Sequence, residues 1–535
     1  METVDAVVIG AGPNGLVAAS ALADAGWDVL VLEAQDEVGG AVRSAALWPQ
    51  TPDAQSDLFS AFYPLAAASP VIQRLELEQH GLTWVQAPSV VAHVASPDEE
   101  ECAVLHRDPA ETAAALDRNA PGDGDSWLRL FEQWQRVREP LLEALFTPFP
   151  PVRSGVKLAW RAGPHDALDL ARIAASPATR VTQEWFTGEH GKLLVAGNAM
   201  HADVPMDAAG SGLFGWLLVM LAQDVGFPVP KGGAGMLSQA MARRARSAGA
   251  RIDVGENVTD VVVWGGRATG VRTASGREIS VRRAVLADLD APRLFNDLVG
   301  TEHLPPRLRA DLARFEWDLP TVKVNWLMEE GVPWRAKDAR VAGTVHFGTD
   351  LPGLSRWSSD LAGGRTPDQV FALLGQMTTA DPTRSPEGTE SVWAYTHLPR
   401  GRYDNQHAAR VAEALEDRLE ELAPGFHEQV RHRTVQHPSD LEAADGNLHH
   451  GAINGGTAQL HQQLVFRPAT GLGRPETIID GLYLASAATH PGGGVHGACG
   501  WIAARSALAA EGRLGRPVKA LRRAAMKKLY CTPGQ

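Results

Sequence analysis

Cysteine is scarce in this sequence. Its 535 residues include three cysteines, Cys102, Cys499 and Cys531, and no two of them form a C-x-x-C pair. A disulfide-reductase mechanism would therefore have no redox dithiol to use. So few cysteines are typical of a protein from a reducing compartment, which predicts a cytoplasmic location.

Long hydrophobic runs and an excess of basic charge are missing too. The longest apolar run, Leu213 to Ala222, is too short to span a bilayer, which takes about 18 residues or more. The formal net charge of −13 argues against nucleic acid as a partner, because binding it usually needs a basic face. The spacings H-x-x-x-H and H-E-x-x-H do not occur, so we predict no metal site.

A glycine pattern near the N-terminus is the strongest positive signal. A short apolar run of strand length is followed at once by Gly10-Ala11-Gly12-Pro13-Asn14-Gly15, and then by an Ala- and Leu-rich stretch of helical character. The first glycine permits a tight turn, the second lets the backbone approach a pyrophosphate, and the third lets helix and strand pack closely. The helix N-terminus then offers free N–H groups to the phosphates. Because this pattern begins so near Met1, we expect no signal or transit peptide.

An acid closes the same unit. A second apolar run, Val29 to Leu32, ends on Glu33, which lies 18 residues after Gly15. A carboxylate at this point can accept hydrogen bonds from ribose hydroxyls and repels a 2′-phosphate. The βαβ unit therefore predicts that NAD or FAD is bound, and that NADP is disfavoured.

The residues after Glu33 favour FAD. Ala34 follows it, and then Gly39, Gly40 and Arg43. This resembles the E-x-x-x-x-x-G-G-R extension of FAD enzymes of the glutathione-reductase-like superfamily, which include amine oxidases and phytoene desaturases. Ala41 replaces the arginine that usually follows the glycine pair, and Arg43 could take part of that role.

A second glycine loop lies near the C-terminus. The apolar run Gly481 to Ala485 reads as a strand, and His490-Pro491 and the loop Gly492 to Gly497 connect it to a helix beginning near Ala498. Strand, glycine loop and helix again direct a helix N-terminus at an electron-rich group. In FAD enzymes of this type that group is the N1/O2 edge of the flavin.

Three segments together resemble the phytoene desaturase family: the N-terminal fingerprint, the Lys231–Leu237 loop and the C-terminal glycine signature. The branch with the greatest resemblance is the pyridine nucleotide-disulfide oxidoreductase domain-containing protein 2 group. The resemblance implies an α/β fold, in which a glutathione-reductase-like FAD-binding Rossmann domain is built from discontinuous segments and a mixed α+β substrate domain carries a helical cap. It also implies non-covalent FAD and transfer of a hydride from a C–H of a lipophilic small molecule to flavin N5.

The resemblance also implies the positions of the cofactor residues and of the domains. The predicted FAD contacts are Gly10, Ala11, Gly12, Pro13, Asn14, Gly15, Glu33, Ala34, Gly39, Gly40, Arg43, Val258, Gly494, Val495, His496, Gly497 and Ala498. The FAD-binding domain is expected at residues 1–90, 228–300 and 440–512, the substrate and cap domain at 91–227 and 301–439, and a basic tail at 513–535.

His496 and His490 are the candidates for moving a proton. The alternatives are that His496 packs over the flavin or caps the helix, and that His490 fixes the Thr-His-Pro turn. His201 is expected to be structural.

The C-terminal tail carries seven Lys or Arg and no acid between Arg513 and Lys528. A basic amphipathic helix of this kind could lie peripherally on an anionic membrane, or dock on the acidic body of the protein.

Several functions stay open at this stage. An amine oxidase, an FAD-stabilised interaction or regulatory protein, and an isomerase that uses reduced FAD are the alternatives to the desaturase-type oxidoreductase. The sequence leaves the final electron acceptor undecided among oxygen, a quinone and a nicotinamide, and it leaves the oligomeric state unknown.

Overall fold

A computed structural model describes residues 2–512 and 515–531, without the side chains of residues 516 and 518. The strands are β1 (Glu2–Ile9), β2 (Val29–Leu32), β3 (Ser44–Ala45), β4 (Ser56–Asp57), β5 (Trp84–Val85), β6 (Ser89–Val94), β7 (Ala103–His106), β8 (Val229–Pro230), β9 (Arg251–Asp253), β10 (Val258–Trp264), β11 (Arg267–Thr273), β12 (Glu278–Ala287), β13 (Thr321–Met328), β14 (Ala342–Phe347), β15 (Ala372–Gln376), β16 (Glu390–His397), β17 (Val430–Gln436) and β18 (Leu482–Leu484).

The α-helices are interspersed among these strands, and six of them follow one another over residues 109–225. They are α1 (Pro13–Asp24), α2 (Pro64–Ala68), α3 (Pro70–Gln73), α4 (Pro109–Asn119), α5 (Asp123–Leu145), α6 (Val152–Ala175), α7 (Ala178–Trp185), α8 (Glu189–Ala199), α9 (Ser211–Val225), α10 (Gly235–Ser247), α11 (Pro306–Leu312), α12 (Leu351–Ala362), α13 (Met377–Ala380), α14 (Asn405–Leu422), α15 (Phe426–Gln429), α16 (Pro438–Ala444), α17 (Ala498–Glu511) and α18 (Gly515–Cys531).

The first sheet is the Rossmann-like layer. Its order is β10-β11-β12-β1-β2-β9, and β18 also pairs with β12. β1 runs parallel to both β2 and β12, and β18 runs parallel to β12, so the carboxyl ends of these strands meet at one edge. Ligands bind at such edges in open α/β sheets, because the helix N-termini that follow the strands point there.

Helices α1 and α17 pack against each other beside this sheet. A Cβ on Gly500 would lie 1.8 Å from the carbonyl oxygen of Asn14, so only glycine permits the two helices to approach so closely. Their N-termini, at Pro13 and Ala498, consequently lie close together at the edge where β1 and β18 end.

The second sheet has the order β17-β13-β16-β15-β14-β6-β7 and is largely antiparallel. One of its faces packs on α14 through apolar side chains such as Val324, Trp326 and Ala394. Helices α8 and α9 lie near β6 on its other side and belong to the apolar cluster that also includes α1 and α17. This helical layer joins the two sheets.

The C-terminal helix α18 docks on the body of the protein. Lys519 pairs with Asp480 at 2.7 Å, and Arg522 pairs with Glu476. Tyr530 is buried, and its hydroxyl donates to the Thr470 carbonyl. Of the two alternatives for the basic tail, these contacts show docking on acids of the body for the part of the tail that the structure describes. Residues 513, 514 and 532–535 lie outside the described residues.

Candidate functional site

The N-terminal glycine pattern forms the turn between β1 and α1. Gly10 has φ of +94°, a backbone conformation that other residues rarely adopt. A Cβ on Gly15 would lie 2.2 Å from the Gly10 carbonyl oxygen, so that position also requires glycine. Gly10, Gly12, Pro13 and Asn14 line a cavity of about 800 Å³. Gly15 and Ala11 lie behind this lining.

Glu33 stands at the end of β2 and lines the same cavity. It is 8% exposed, and its carboxylate accepts hydrogen bonds from the backbone amides of Ala11, at 2.7 Å, and Gln35, at 2.9 Å. Burial raises the pKa of Glu33, and the two amides act in the opposite direction. A carboxylate has about four lone-pair sites, so Glu33 keeps acceptor capacity for a ribose.

Two acids that line the cavity near Glu33 and the first glycine turn were not predicted from the sequence. Asp288 follows β12, and its carboxylate accepts a hydrogen bond from the Gly15 amide at 2.8 Å. Burial raises the pKa of Asp288 to about 7, with Asp445 and Glu33 adding to the effect. Asp445 lies beside Gly40 and is brought there from far along the chain. An acid directly after a buried strand that pairs with β1 was a signal available for Asp288, whereas none was available for Asp445.

The second glycine loop reaches the same cavity. Gly494, Val495 and His496 line it, while Gly497 and Ala498 lie behind them in the turn into α17. His496 is 2% exposed, and its Nδ1 accepts a hydrogen bond from the Ala498 amide at 3.0 Å. This contact satisfies the amide at the start of α17, which favours the helix-capping alternative for His496.

The protonation of His496 follows from these surroundings. Burial lowers the pKa of His496 to about 4, so the ring is neutral at pH 7. Because Nδ1 accepts a hydrogen bond, the proton resides on Nε2. Nε2 is buried without a hydrogen-bond partner in the described structure. His496 therefore offers a donor at the cavity wall.

His490 does not line the cavity. Its Nε2 lies 3.2 Å from the Thr147 carbonyl oxygen, and its ring packs against Phe149. Burial lowers the pKa of His490 to about 4. These contacts favour the turn-fixing alternative for His490 over the proton-transfer role.

The other predicted cofactor residues divide into two groups. Ala34, Gly40 and Val258 line the cavity. Gly39 and Arg43 lie outside its lining: the Gly39 amide donates to the Ala11 carbonyl, and the Arg43 guanidinium donates to the carbonyls of Gly40 and Ala444. Arg43 thus clamps the loop that follows β2.

The cavity extends from the two glycine loops to the second sheet. We call the part lined by the glycine loops and residues 441–448 the nucleotide end. The sheet end is the part lined by the strand residues Lys323, Thr344, Leu373, Trp393 and Tyr395. Aliphatic and aromatic side chains line the space between, namely Leu65, Leu145, Phe214, Leu217, Leu218 and Phe227.

Lys323 is a further residue that the sequence did not single out. It is 3% exposed on β13, and its ammonium donates to the carbonyls of Asp57 and Phe59. Burial lowers the pKa of Lys323 to about 7. Its signal was weak, because one lysine in an apolar strand has no spacing partner nearby in sequence.

The acids that line the cavity belong to the nucleotide end. They are Glu33, Glu256, Asp288, Asp290, Glu442 and Asp445. Glu442 also forms a hydrogen bond with His449 Nδ1 at 2.9 Å. The atoms of Glu442, His449 and His450 that could bind a metal ion lie within 4.8 Å of one another.

The residues present fit FAD. Two helix N-termini can receive phosphate and the flavin edge, Glu33 can accept from a ribose, and the orphaned Nε2 of His496 is a donor without a protein acceptor. Asp288, beside the first helix N-terminus, is largely neutral below about pH 7 because burial holds its pKa near that value.

This two-sheet architecture, with paired helix N-termini beside one long cavity, defines the class of dinucleotide-binding proteins. Residues 8–72 match the NAD(P)-binding Rossmann-like domain, and residues 104–508 match the model described as flavin containing amine oxidoreductase. The chain belongs to this flavin-containing amine oxidoreductase family. It is an oxidoreductase with FAD as its cofactor, which confirms the predicted fold class, cofactor and enzyme class.

Full-length relatives support the same placement. Pyridine nucleotide-disulfide oxidoreductase domain-containing protein 2 of Rattus norvegicus is 28% identical, over 94% of this chain and 92% of that protein. Phytoene desaturase (lycopene-forming) of Paracoccus sp. is 25% identical, over 92% of this chain and 95% of that protein. The predicted resemblance to both is confirmed.

A solved structure shows the same fold. An oxidoreductase from Methanosarcina mazei superimposes with a TM-score of 0.61 at 15% identity, covering 95% of this chain and all of that one.

Within the described residues, every helix is too short or too polar to traverse a bilayer.

Proposed function

We propose that this enzyme oxidises a C–H bond of an uncharged, lipophilic small molecule held between the nucleotide end and the sheet end of the cavity. Bound FAD would supply the hydride acceptor, at N5. The observation that carries the proposal is the continuity of the cavity, in which an apolar section leads directly from the flavin-directed glycine loop. The name of the Paracoccus relative, a phytoene desaturase, also indicates a lipophilic C–H substrate.

The residues of the chain would bind and shield rather than carry electrons. The apolar side chains between the two ends exclude water and hold the substrate by burial, which contributes about 25 cal/mol per Å² of apolar surface. His496, neutral and with its proton on Nε2, would donate a hydrogen bond toward the cofactor. This differs from the predicted uptake of a proton, because Nδ1 is already occupied by the Ala498 amide.

We also propose the division of labour between the segments. Residues 1–90, 228–300 and 440–512 would bind FAD, and residues 91–227 and 301–439 would bind the substrate and cover it. The memberships of the two sheets support this, because every strand of the first sheet lies in the former segments.

The geometry gives less support to an amine substrate. The rings of Trp393 and Tyr395 lie stacked with centroids 6.0 Å apart, which leaves no room for an amine between them. The residues at the sheet end include the base Lys323 and no carboxylate among those described. A protonated amine would therefore find no counter-ion there.

Anaerobic reduction of the bound flavin tests the proposal. The purified holoenzyme is mixed with geraniol, limonene, putrescine or NADH, and the visible absorbance of the flavin is followed. We expect bleaching by a lipophilic unsaturated donor and none by putrescine. Bleaching by NADH alone would contradict the proposal and indicate a reductase. The same experiment with oxygen or a quinone added afterwards identifies the electron acceptor, which we propose to be one of these two.

A further inference from the structure

The two faces of the second sheet differ in character. The face toward α14 is apolar, as expected for a buried sheet face. The opposite face is buried too, apart from the half-buried Tyr395, yet β14 contributes Thr344 and His346 to it, and β16 contributes Trp393, Tyr395 and His397. Side chains alternate along a strand, so these polar residues at every second position share one face. That face forms the sheet end of the cavity.

Three polar side chains on this face lack protein partners. Thr344 Oγ1 and Trp393 Nε1 are buried without a hydrogen bond, and the hydroxyl of Tyr395 has none in the described part of the chain. All three residues line the cavity. Leaving such a group unsatisfied is unfavourable, so apolar side chains would be expected at these positions in a cavity that served only a hydrocarbon.

The three groups are close together. In the sheet, Gly375 pairs with Thr344 on one side and with Trp393 on the other, so the latter two flank one glycine. A Cβ on residue 375 would lie 2.5 Å from the Trp393 ring. The indole thus covers the glycine, and Tyr395 stacks on the indole.

His201 adds a fourth polar group from the helical layer. It lines the cavity, and its Nε2 lies 2.9 Å from Nε2 of His346. Burial holds the pKa of His201 at about 4, so this pair is neutral at pH 7. One of the two Nε2 atoms must therefore donate to the other.

The surroundings of His346 decide which nitrogen donates. Its Nδ1 is buried without a partner and faces α8, where a Cβ on Gly197 would lie 2.3 Å away. A proton on that Nδ1 would be an unsatisfied donor, so the proton of His346 resides on Nε2, where His201 accepts it. His201 then carries its own proton on Nδ1, and for this nitrogen the described residues offer no acceptor.

We propose that the sheet end binds an uncharged oxygen function, a carbonyl or a hydroxyl, of an otherwise lipophilic substrate. His201 Nδ1–H and the Tyr395 hydroxyl are the donors, and Thr344 and Trp393, whose own polar atoms are covered, form the wall beside them. This inference rests on the proposed function, whose reacting C–H lies nearer the flavin, and it names the substrate class. The oxygen anchors one end of the molecule and thereby fixes which carbon faces the cofactor.

Binding of three molecules with one carbon skeleton tests the proposal. Citral carries an aldehyde, geraniol a hydroxyl, and 2,6-dimethyl-2,6-octadiene no oxygen. Each is titrated into the holoenzyme after its flavin has been reduced with dithionite, so that the probe cannot be oxidised, and the change in tryptophan fluorescence gives the dissociation constant. Burial alone favours the hydrocarbon, because it is the least soluble in water. We expect an oxygenated probe to bind about tenfold more tightly, which corresponds to about 1.4 kcal/mol from two added hydrogen bonds.

Tyr395→Phe removes one donor without breaking a hydrogen bond within the described protein. We expect it to reduce the preference for the oxygenated probes at least about threefold and to leave the thermal midpoint unchanged or higher. The matched control is Tyr483→Phe, the same change at a buried tyrosine outside this cavity. His201→Leu should reduce the preference further, by removing a second donor.

Two outcomes overturn the inference. One is equal or tighter binding of the hydrocarbon, with failure of all three probes to bind counted as equality. The other is a preference that Tyr395→Phe leaves intact. Either can occur while geraniol or limonene still bleaches the flavin, so the inference can fail while the proposed function stands. Loss of bleaching by every lipophilic donor would instead contradict the proposed function.

Discussion

Glu33 links the end of β2 to the glycine turn as well as facing the cofactor cavity. Its carboxylate accepts from two backbone amides and still lines the cavity. Glu33→Gln retains one acceptor oxygen and loses the charge. Hydrogen bonds to charged groups contribute about 1.5–3 kcal/mol, so we expect the dissociation constant for FAD to rise roughly 10- to 150-fold, measured by fluorescence of released flavin. Glu37→Gln, on the same loop with a half-exposed side chain, should leave it unchanged. Equal effects of the two changes would rule out the ribose contact.

Asp288 gives a pH dependence of known sign. Burial raises its pKa to about 7, above the ~3.9 of an unfolded chain. Between these values the folded protein binds this proton and the unfolded chain does not, so the contribution of Asp288 to stability falls as the pH rises from about 4 to about 7. Asp288→Asn keeps an acceptor for the Gly15 amide and cannot ionise. Its thermal midpoint, relative to wild type, should therefore be higher at about pH 8 than at about pH 5.

The control for Asp288 is Asp53→Asn, at an exposed loop position. Both variants and the wild type are scanned without added FAD at each pH, so that cofactor binding does not enter the comparison. A difference between Asp288→Asn and wild type that stays constant over this range would contradict the raised pKa.

At the scale of elements, one buried arginine connects two loops of the cavity. Arg467 is 1% exposed, and its guanidinium donates to the carbonyls of Asn454, Gly455, Gly456, Thr457 and Ala487. It thereby ties residues 453–458 to the loop that follows β18. A lysine has three donors at one point and cannot reproduce this fork.

We expect Arg467→Lys to lower the free energy of unfolding by at least about 3 kcal/mol, since several hydrogen bonds of roughly 1.5–3 kcal/mol are lost or weakened. Urea unfolding of the holoenzyme measures this. FAD content should fall as well, because both loops line the cavity. Arg474→Lys, at a half-buried arginine nearby, is the matched control. A value for Arg467→Lys within about 0.5 kcal/mol of the control would show that the clamp contributes little.

At the scale of the whole molecule, FAD should bind without a covalent bond and should stabilise the association of the chain segments that contact it. The cysteine at the second helix start, Cys499, is buried, and its pKa is raised to about 12 by burial, so the thiol stays protonated and is a poor nucleophile for flavin attachment. We expect acid precipitation to leave the yellow chromophore in the supernatant. Added FAD should raise the thermal midpoint of the cofactor-free protein in a saturable way. Chromophore retained in the pellet would contradict non-covalent binding.

The features predicted correctly from sequence are those that a short, continuous stretch of residues determines. The βαβ unit from Gly10 to Glu33 and the strand–loop–helix at the C-terminus each have a local pattern, because one turn and one helix start determine both. The hairpin of β10 and β11 likewise has a local signal, because Gly265-Gly266 stands between two apolar runs. Local turn chemistry needs no knowledge of the rest of the chain.

What was missed depends on contacts between distant segments. Asp445 and Tyr395 face the cavity only because the chain returns there, and neither has a telling neighbour in sequence. His201 was expected to be structural, and its Nε2 does contact His346. Its side chain nevertheless lines the cavity, where Nδ1 is a donor of the proposed oxygen site. His490 was a candidate by proximity to the glycine loop, but side chains in a turn leave in different directions, and its ring faces Thr147.

The pairing of β1 with both β2 and β12 has a consequence for synthesis on the ribosome. The Rossmann sheet begins at residue 2 and receives its last strand, β18, at residues 482–484. Until residue 287 has been made, β1 lacks its partner β12, and such an exposed edge invites aggregation; β12 in turn waits for β18. The second glycine loop emerges later still, so a chain stopped before it should fail to retain flavin. Yellow colour in a purified preparation then reports that translation reached the C-terminal part. It also reports that the N-terminal and C-terminal segments have assembled at the FAD site.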